Sequence, residues 1–332
     1  MKKITMFIML CIITITVNAN SIIKNGPWKA KVTIKVLDSQ TLKPLQNCKV
    51  TLTSYFDKNI YDKFKGHTDL KGLYIFEGKV YVLKALFKKD GYYNSYTDIN
   101  FNLSKFDCSK GAIYQPWNQE IVVKLRKQID PTPMYVQRVD EDKVPKFGYA
   151  CGYDLIVGDW VKPYGQGKVS DFILKNEGFI KPPLKKFGGN IFDLKLTLTF
   201  SNPNDGIQKM IFKKEKKTGF ASKINRDYEF IYEAPLTGYK PILQEHYSFD
   251  GKKRVSTHDS NVNYVFRIRT KTNKKGKIIS ALYGKIYGQI EHGKYIQFIY
   301  YVNPTPNSRS MEWNGKNVIK RLKGKNYNVQ EL

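Results

Sequence analysis

The stretch N261-VNYVFRIRTKTNKKGKIISALYGKIYGQIEHGKYIQFIYY-V302 decides the fold class. Asn261 to Thr272 is rich in β-branched and aromatic residues. Asn273-Lys274-Lys275-Gly276 is a turn, and Lys277 to Ile290 is a second run of the same kind. His292-Gly293 is another turn, and Lys294 to Val302 a third run. Short Gly-containing turns between such runs predict an antiparallel meander. Upstream, Ile191 to Phe200 sets Phe192, Leu194, Leu196, Leu198 and Phe200 against Asp193, Lys195, Thr197 and Thr199. This period of two predicts a strand with one buried face. No amphipathic helix of ordinary length follows the N-terminal segment, so residues 149–332 read as a β-sandwich or jelly-roll-like domain.

Residues 27–128 read as a smaller all-β domain. Val32, Ile34 and Val36 share one face, as do Ile121, Val123 and Leu125. Val50 and Leu52 alternate with Lys49 and Thr51, and Val80 to Lys88 is a further strand. The turns lie at Thr41-Leu42-Lys43-Pro44-Leu45, at Thr68-Asp69-Leu70-Lys71-Gly72 and at Lys88-Lys89-Asp90-Gly91. In this order and spacing, "TLKPL", "TDLKGLYIFEG" and "KKDGYY" resemble the carboxypeptidase regulatory-like domain, a transthyretin-like β-sandwich. The resemblance covers roughly residues 30–125. It implies seven strands, a structural or spacer role and no catalytic residues. The second domain is similar to uncharacterised exported bacterial proteins in "GYDLIVGDWVKPYGQGKVSDFIL", "LTLTFSNPNDGIQ" and "SALYGKIYG", which implies no chemistry. Between the domains, residues 129–148 read as a polar, Pro-containing linker.

The whole chain is thus expected to be all-β, with two consecutive antiparallel sandwiches after an N-terminal signal peptide. The leader is residues 1–19. Met1-Lys2-Lys3 is basic, Ile4 to Val17 is apolar, and Val17-Asn18-Ala19 sets cleavage between Ala19 and Asn20. The apolar run is shorter than a spanning helix needs. The address read from it is exported: periplasm, cell surface or extracellular, with no membrane span in the mature chain.

The 332 residues carry 56 Lys+Arg against 29 Asp+Glu, a net charge of +27. Only eight of the basic residues are Arg, whereas base-edge recognition favours the Arg fork. Together with export, this argues against nucleic acid. It leaves envelope polysaccharide or another surface protein as the partners to expect. Three cysteines, Cys48, Cys108 and Cys151, remain in the mature chain and allow at most one internal disulfide, of undetermined pairing.

No cofactor or metal is implied. The four histidines, His67, His246, His258 and His292, show no ligand spacing. There is no G-x-S-x-G elbow, P-loop or Rossmann fingerprint. Asp154, Asp159, Asp171 and Asp205 sit in or near Gly-containing loops and read as turn residues. A facing pair among them is the one route to the alternative reading, a glycan-active hydrolase. The preferred reading is a non-enzymatic binding or surface-assembly protein. Its candidate ligand face joins Tyr283, Lys285 and Tyr287 of one strand to Arg267 and Arg269 of the strand before it, with Trp160 as a separate contact. Aromatic faces beside polar tips suit a sugar.

Overall fold

A computed structural model describes residues 27–56, 59–99, 113–114, 117–141, 144–183, 189–212, 221–224, 230–259 and 261–320. At 56, 59, 141 and 221–224 it describes the main chain alone. Residues 1–26, which hold the expected leader with Ala19 and Asn20, and Cys108 lie outside the described residues. The described chain is all-β, with no helix and twenty strands. It divides into two units, residues 1–128 with 215–228, and residues 129–214 with 229–332.

The first unit begins with β1 (Trp28–Asp38), β2 (Lys49–Phe56), β3 (Asn59–His67) and β4 (Leu73–Val80). It continues with β5 (Val82–Lys88), β6 (Ser95–Ile99) and β7 (Gln119–Leu125). β1 lies between β4, antiparallel, and β7, parallel. The other sheet runs β6-β5-β2-β3, and β14 (Ala221–Ile224), reached from the second unit's sequence, pairs antiparallel outside β6. The alternation in β1 has its expected result: Ala30, Val32, Ile34 and Val36 are fully buried. They share a core with Val50, Leu52, Leu83, Phe87, Ile121 and Val123. The turns hold by side-chain capping. Asp69 accepts hydrogen bonds from the Lys71 and Leu73 amides at 2.9 and 2.8 Å. Gly72 sits at φ +71°, and a Cβ there would stand 2.6 Å from the Val36 carbonyl oxygen, so no other residue fits.

The second unit is a sandwich of two six-stranded sheets. The first contains β9 (Ala150–Asp154), β10 (Asp159–Trp160), β11 (Phe172–Lys181), β12 (Ile191–Thr199), β15 (Ile242–Phe249) and β16 (Arg254–Ser256), in the order β10-β9-β11-β12-β15-β16. The second contains β8 (Thr132–Glu141), β13 (Gly206–Ile211), β17 (Val262–Thr272), β18 (Ile278–His292), β19 (Ile296–Val302) and β20 (Trp313–Asn317), in the order β13-β17-β18-β19-β8-β20. The predicted meander is β17-β18-β19. Phe172, Leu174, Leu196 and Leu198 from one sheet meet Phe266, Ile268, Ile286 and Tyr300 from the other in one core.

Two expectations change here. Residues 129–148 are not a linker, because they contain β8, which pairs with β19 and β20. Met134, Val136 and Val139 are buried; Pro131 and Pro133 fall at the strand's start, where a missing amide costs least, and Pro145 lies past its end. The outer side of the meander is not a free surface either. Phe230, Ala234 and Met311 form a second core with Val265, Ala281 and Tyr283. With both faces covered, β18 is buried almost continuously from Ala281 to Ile286.

Candidate functional site

The structure brings together four of the residues selected for a ligand face, and then covers them. Arg267 and Tyr283 are direct cross-strand partners. Tyr239 lies over them, with the Arg267 guanidinium 4.9 Å from its ring centre. Tyr283 and Lys285 are only 5% and 3% exposed. The Lys285 ammonium lies within about 5 Å of the Phe230, Tyr287 and Tyr301 rings and donates to the Tyr287 hydroxyl at 3.0 Å. Arg269 is elsewhere: at φ +53° it sits in an irregularity of the β17–β18 register, and its side chain leaves the face. Trp160 is buried edge-on against Tyr153 at 5.1 Å. Cys48 and Cys151 are buried free thiols. Burial pushes the Cys48 thiol up to about 11.

Arg269 instead ties a knot of acids. Its Nε donates to Asp171 Oδ1 at 2.9 Å. Its Nη2 donates to Asp171 Oδ2 and Asp154 Oδ1 at 2.9 and 2.8 Å. Asp154 also accepts from the amides of Ile156, Val157, Lys168 and Val169. Asp205 accepts from the Arg269 and Thr270 amides, both at 2.9 Å. Burial pushes the Asp171 and Asp205 carboxyls above 3.8. Burial also opposes ionisation of Asp154, but its amide donors and Arg269 together hold it below 3.8. Two neighbouring acids with opposed shifts resemble a hydrolytic pair. Yet both are almost fully buried, and each carboxylate is occupied by Arg269 and main-chain donors. The knot fastens the β9 loop and the β17 bend, with no room for a substrate between the acids.

A different region has side chains to spare. Across the first sheet of the sandwich, the inward-facing residues stand in rows set by strand register. Asn176, Leu196 and Glu245 form one row, then Gly178, Leu194, Tyr247 and Ser256, then Ile180, Phe192, Phe249 and Arg254. The opposing sheet stops short of the last row. β18 ends at His292, and the hairpin tip meets Leu194 at Gly293. Asn176 Nδ2 pins that tip by donating to the Gly293 and Tyr295 carbonyls, both at 3.0 Å. The first sheet therefore projects beyond the core as an aromatic shelf. Phe192 packs on Tyr247 at 4.7 Å and on Phe249 at 6.2 Å, and all three are half-buried. Ile180 is 40% exposed. Arg254 lies over Phe249 at 5.3 Å and reaches the Tyr247 hydroxyl at 3.4 Å. Gly178, at φ +128°, leaves its place in the middle row empty, and a Cβ there would strike the Asp193 carbonyl.

The inner end of the shelf is polar. His258 stacks on Tyr247 at 5.3 Å with ring planes 13° apart. His292 meets His258 edge-on at 5.5 Å. Behind them Glu245, 4% exposed, accepts from Thr257 and from Tyr264 at 3.0 Å, and pairs with Lys209 at 2.7 Å. The sequence places His292 in a turn; in the structure it closes β18 and is 2% exposed. The shelf was not legible as a site. Phe192, Tyr247 and Phe249 come from two strands far apart in sequence, and only their register makes them neighbours.

No family model and no curated protein matches the chain. Among solved structures, similarity extends to a DUF3823 family protein from Parabacteroides merdae, at 9% identity, covering 82% of this chain and 96% of that one with a TM-score of 0.18. A candidate carbohydrate-binding protein from Bacteroides uniformis matches at 10% identity, over 82% and 98%, with a TM-score of 0.17. A protein of unknown function from Bacteroides fragilis matches at 12% identity, over 85% and 100%, with a TM-score of 0.18. At these scores the likenesses carry no weight for fold or function, which rest on the geometry above.

Proposed function

We propose that this chain is an exported, non-enzymatic binding protein whose second sandwich holds a sugar ring on the shelf of Phe192, Tyr247 and Phe249. The observation that carries the reading is the projection of these half-buried rings beyond the end of the opposing sheet, with Arg254 at their rim. Apolar faces of sugar rings pack on aromatic rings. A guanidinium beside them can donate to hydroxyls or to the carboxylate of an acidic glycan, which suits an envelope polysaccharide. The first unit, by its resemblance to carboxypeptidase regulatory-like domains, serves as a spacer. The basic N-terminal leader supports export.

A glycan array probed with the full mature chain at two salt concentrations tests the reading. The expected result is a defined set of glycans retained at high salt and lost in a Tyr247→Ala/Phe249→Ala double variant. Binding that vanishes with salt, or survives the double variant, overturns it: the first outcome marks nonspecific attraction by surface lysines. Mass spectrometry of the natural N-terminus should find Asn20 first.

A further inference from the structure

We propose that His258 and His292 form a site for a borderline divalent transition metal, of the zinc, copper or cobalt class, at the inner end of the shelf. This does not depend on the sugar reading. In the folded chain the Nε2 atoms of both rings are buried and have no hydrogen-bond partner. A buried polar atom left bare is costly and calls for an explanation such as an ion.

Three features point to a metal. The first is ring placement. Two imidazoles bound through Nε2 to one tetrahedral ion, at about 2.0–2.1 Å per bond, bring their ring centres to roughly 5.2–5.5 Å. The observed separation is 5.5 Å, with the planes at 75°. The second is the tautomer. His292 Nδ1 lies 3.3 Å from the Ile290 carbonyl oxygen. A carbonyl only accepts, so this contact favours the tautomer with the proton on Nδ1, which leaves the Nε2 lone pair for a metal. The ring also lies against the Leu194 main chain, which favours its protonated form. The third is support. Tyr247 stacks on His258, and the Glu245 carboxylate adds negative potential close to His292.

Among the described residues no group of three His, Cys, Asp or Glu side chains converges to hold an ion. Among the described residues the ion would take two protein ligands, His258 and His292, and water or a bound molecule would fill its remaining positions. Imidazole donors and an open tetrahedron suit zinc, copper or cobalt better than calcium or magnesium, which take oxygen ligands.

The test is titration of the tag-free full chain with Co2+, followed by visible absorption, and of a parallel sample with Cu2+, followed by electron paramagnetic resonance. The expected result is one ion per chain, a tetrahedral Co2+ band displaced by Zn2+, and hyperfine coupling from two imidazole nitrogens. His258→Gln should weaken binding at least about tenfold, and His246→Ala should leave it unchanged. His258 is partly exposed, so its variant stays interpretable even if His292→Gln fails to fold. Absence of binding, coupling to a single nitrogen, or full affinity in His258→Gln overturns the proposal.

Discussion

The acid knot around Arg269 and the shelf around Tyr247 belong to the same sandwich, yet they use polar and aromatic residues in opposite ways. In the knot the Asp154 and Asp171 oxygens are occupied by amides and guanidinium hydrogens, and the acids are sealed. On the shelf the rings are half-buried, and two imidazole nitrogens behind them are unpartnered. Satisfied buried charge marks a place where the fold consumes its own chemistry. Unsatisfied or half-covered groups mark capacity left for something else.

Removing the guanidinium should have the largest effect. Arg269→Ala leaves Asp154 and Asp171 buried without their counter-charge and should cost about 3 kcal/mol of stability in urea unfolding. A loss under about 1 kcal/mol would mean that the knot is no more than a surface ion pair. On the shelf the effects should fall on binding. Phe249→Ala should weaken the glycans retained on the array at least about tenfold, while half-burial limits the stability loss to about 1–2 kcal/mol. An equal loss in both measurements would erase the contrast.

Acid titration separates two acids within the knot. The Asp205 carboxyl is raised above 3.8, so the folded chain takes up its proton before the unfolded chain does. Wild type should therefore gain stability relative to Asp205→Asn as pH falls from neutral towards 3.8. Asp154 is held below 3.8, so its contribution is present above that value and is lost as pH falls through its lower folded pKa. The difference between wild type and Asp154→Asn should shrink there. Urea unfolding at several pH values reads both signs. The smallest effect is expected at His246, on the opposite side of β15, where it pairs with Asp193 at 3.2 Å in a half-exposed setting. His246→Ala should change stability by less than about 1 kcal/mol and leave glycan binding unchanged, as an array comparison would record.

Local alternation carried much of the fold into the sequence. Val32, Ile34 and Val36 are core residues because their neighbours are polar at a period of two, and the β17–β19 meander follows from its turns. β8 was hidden because Gln137, Arg138, Asp140 and Glu141 make its sequence look like a connector. Its apolar alternation spans only Met134 and Val136 before Gln137 interrupts it, although Gln137 is buried too. The site was less legible than the fold. Tyr283 and Lys285 carry the chemistry of a binding face, but what covers them comes from residues 230–240 and 303–312, which sequence does not place. His258 and His292 are far apart along the chain, and no spacing rule for ligands spans such a distance.

The pairing of β14 with β6 has a consequence for synthesis. As the chain leaves the ribosome, Ser95–Ile99 emerges long before Ala221–Ile224, its outer neighbour. Until then, among the described residues, no strand pairs with the outer border of β6 in the first unit's β6-β5-β2-β3 sheet, the state that invites wrong partners. The first unit is thus finished out of order: its last strand arrives only when much of the second unit's sequence has already been made.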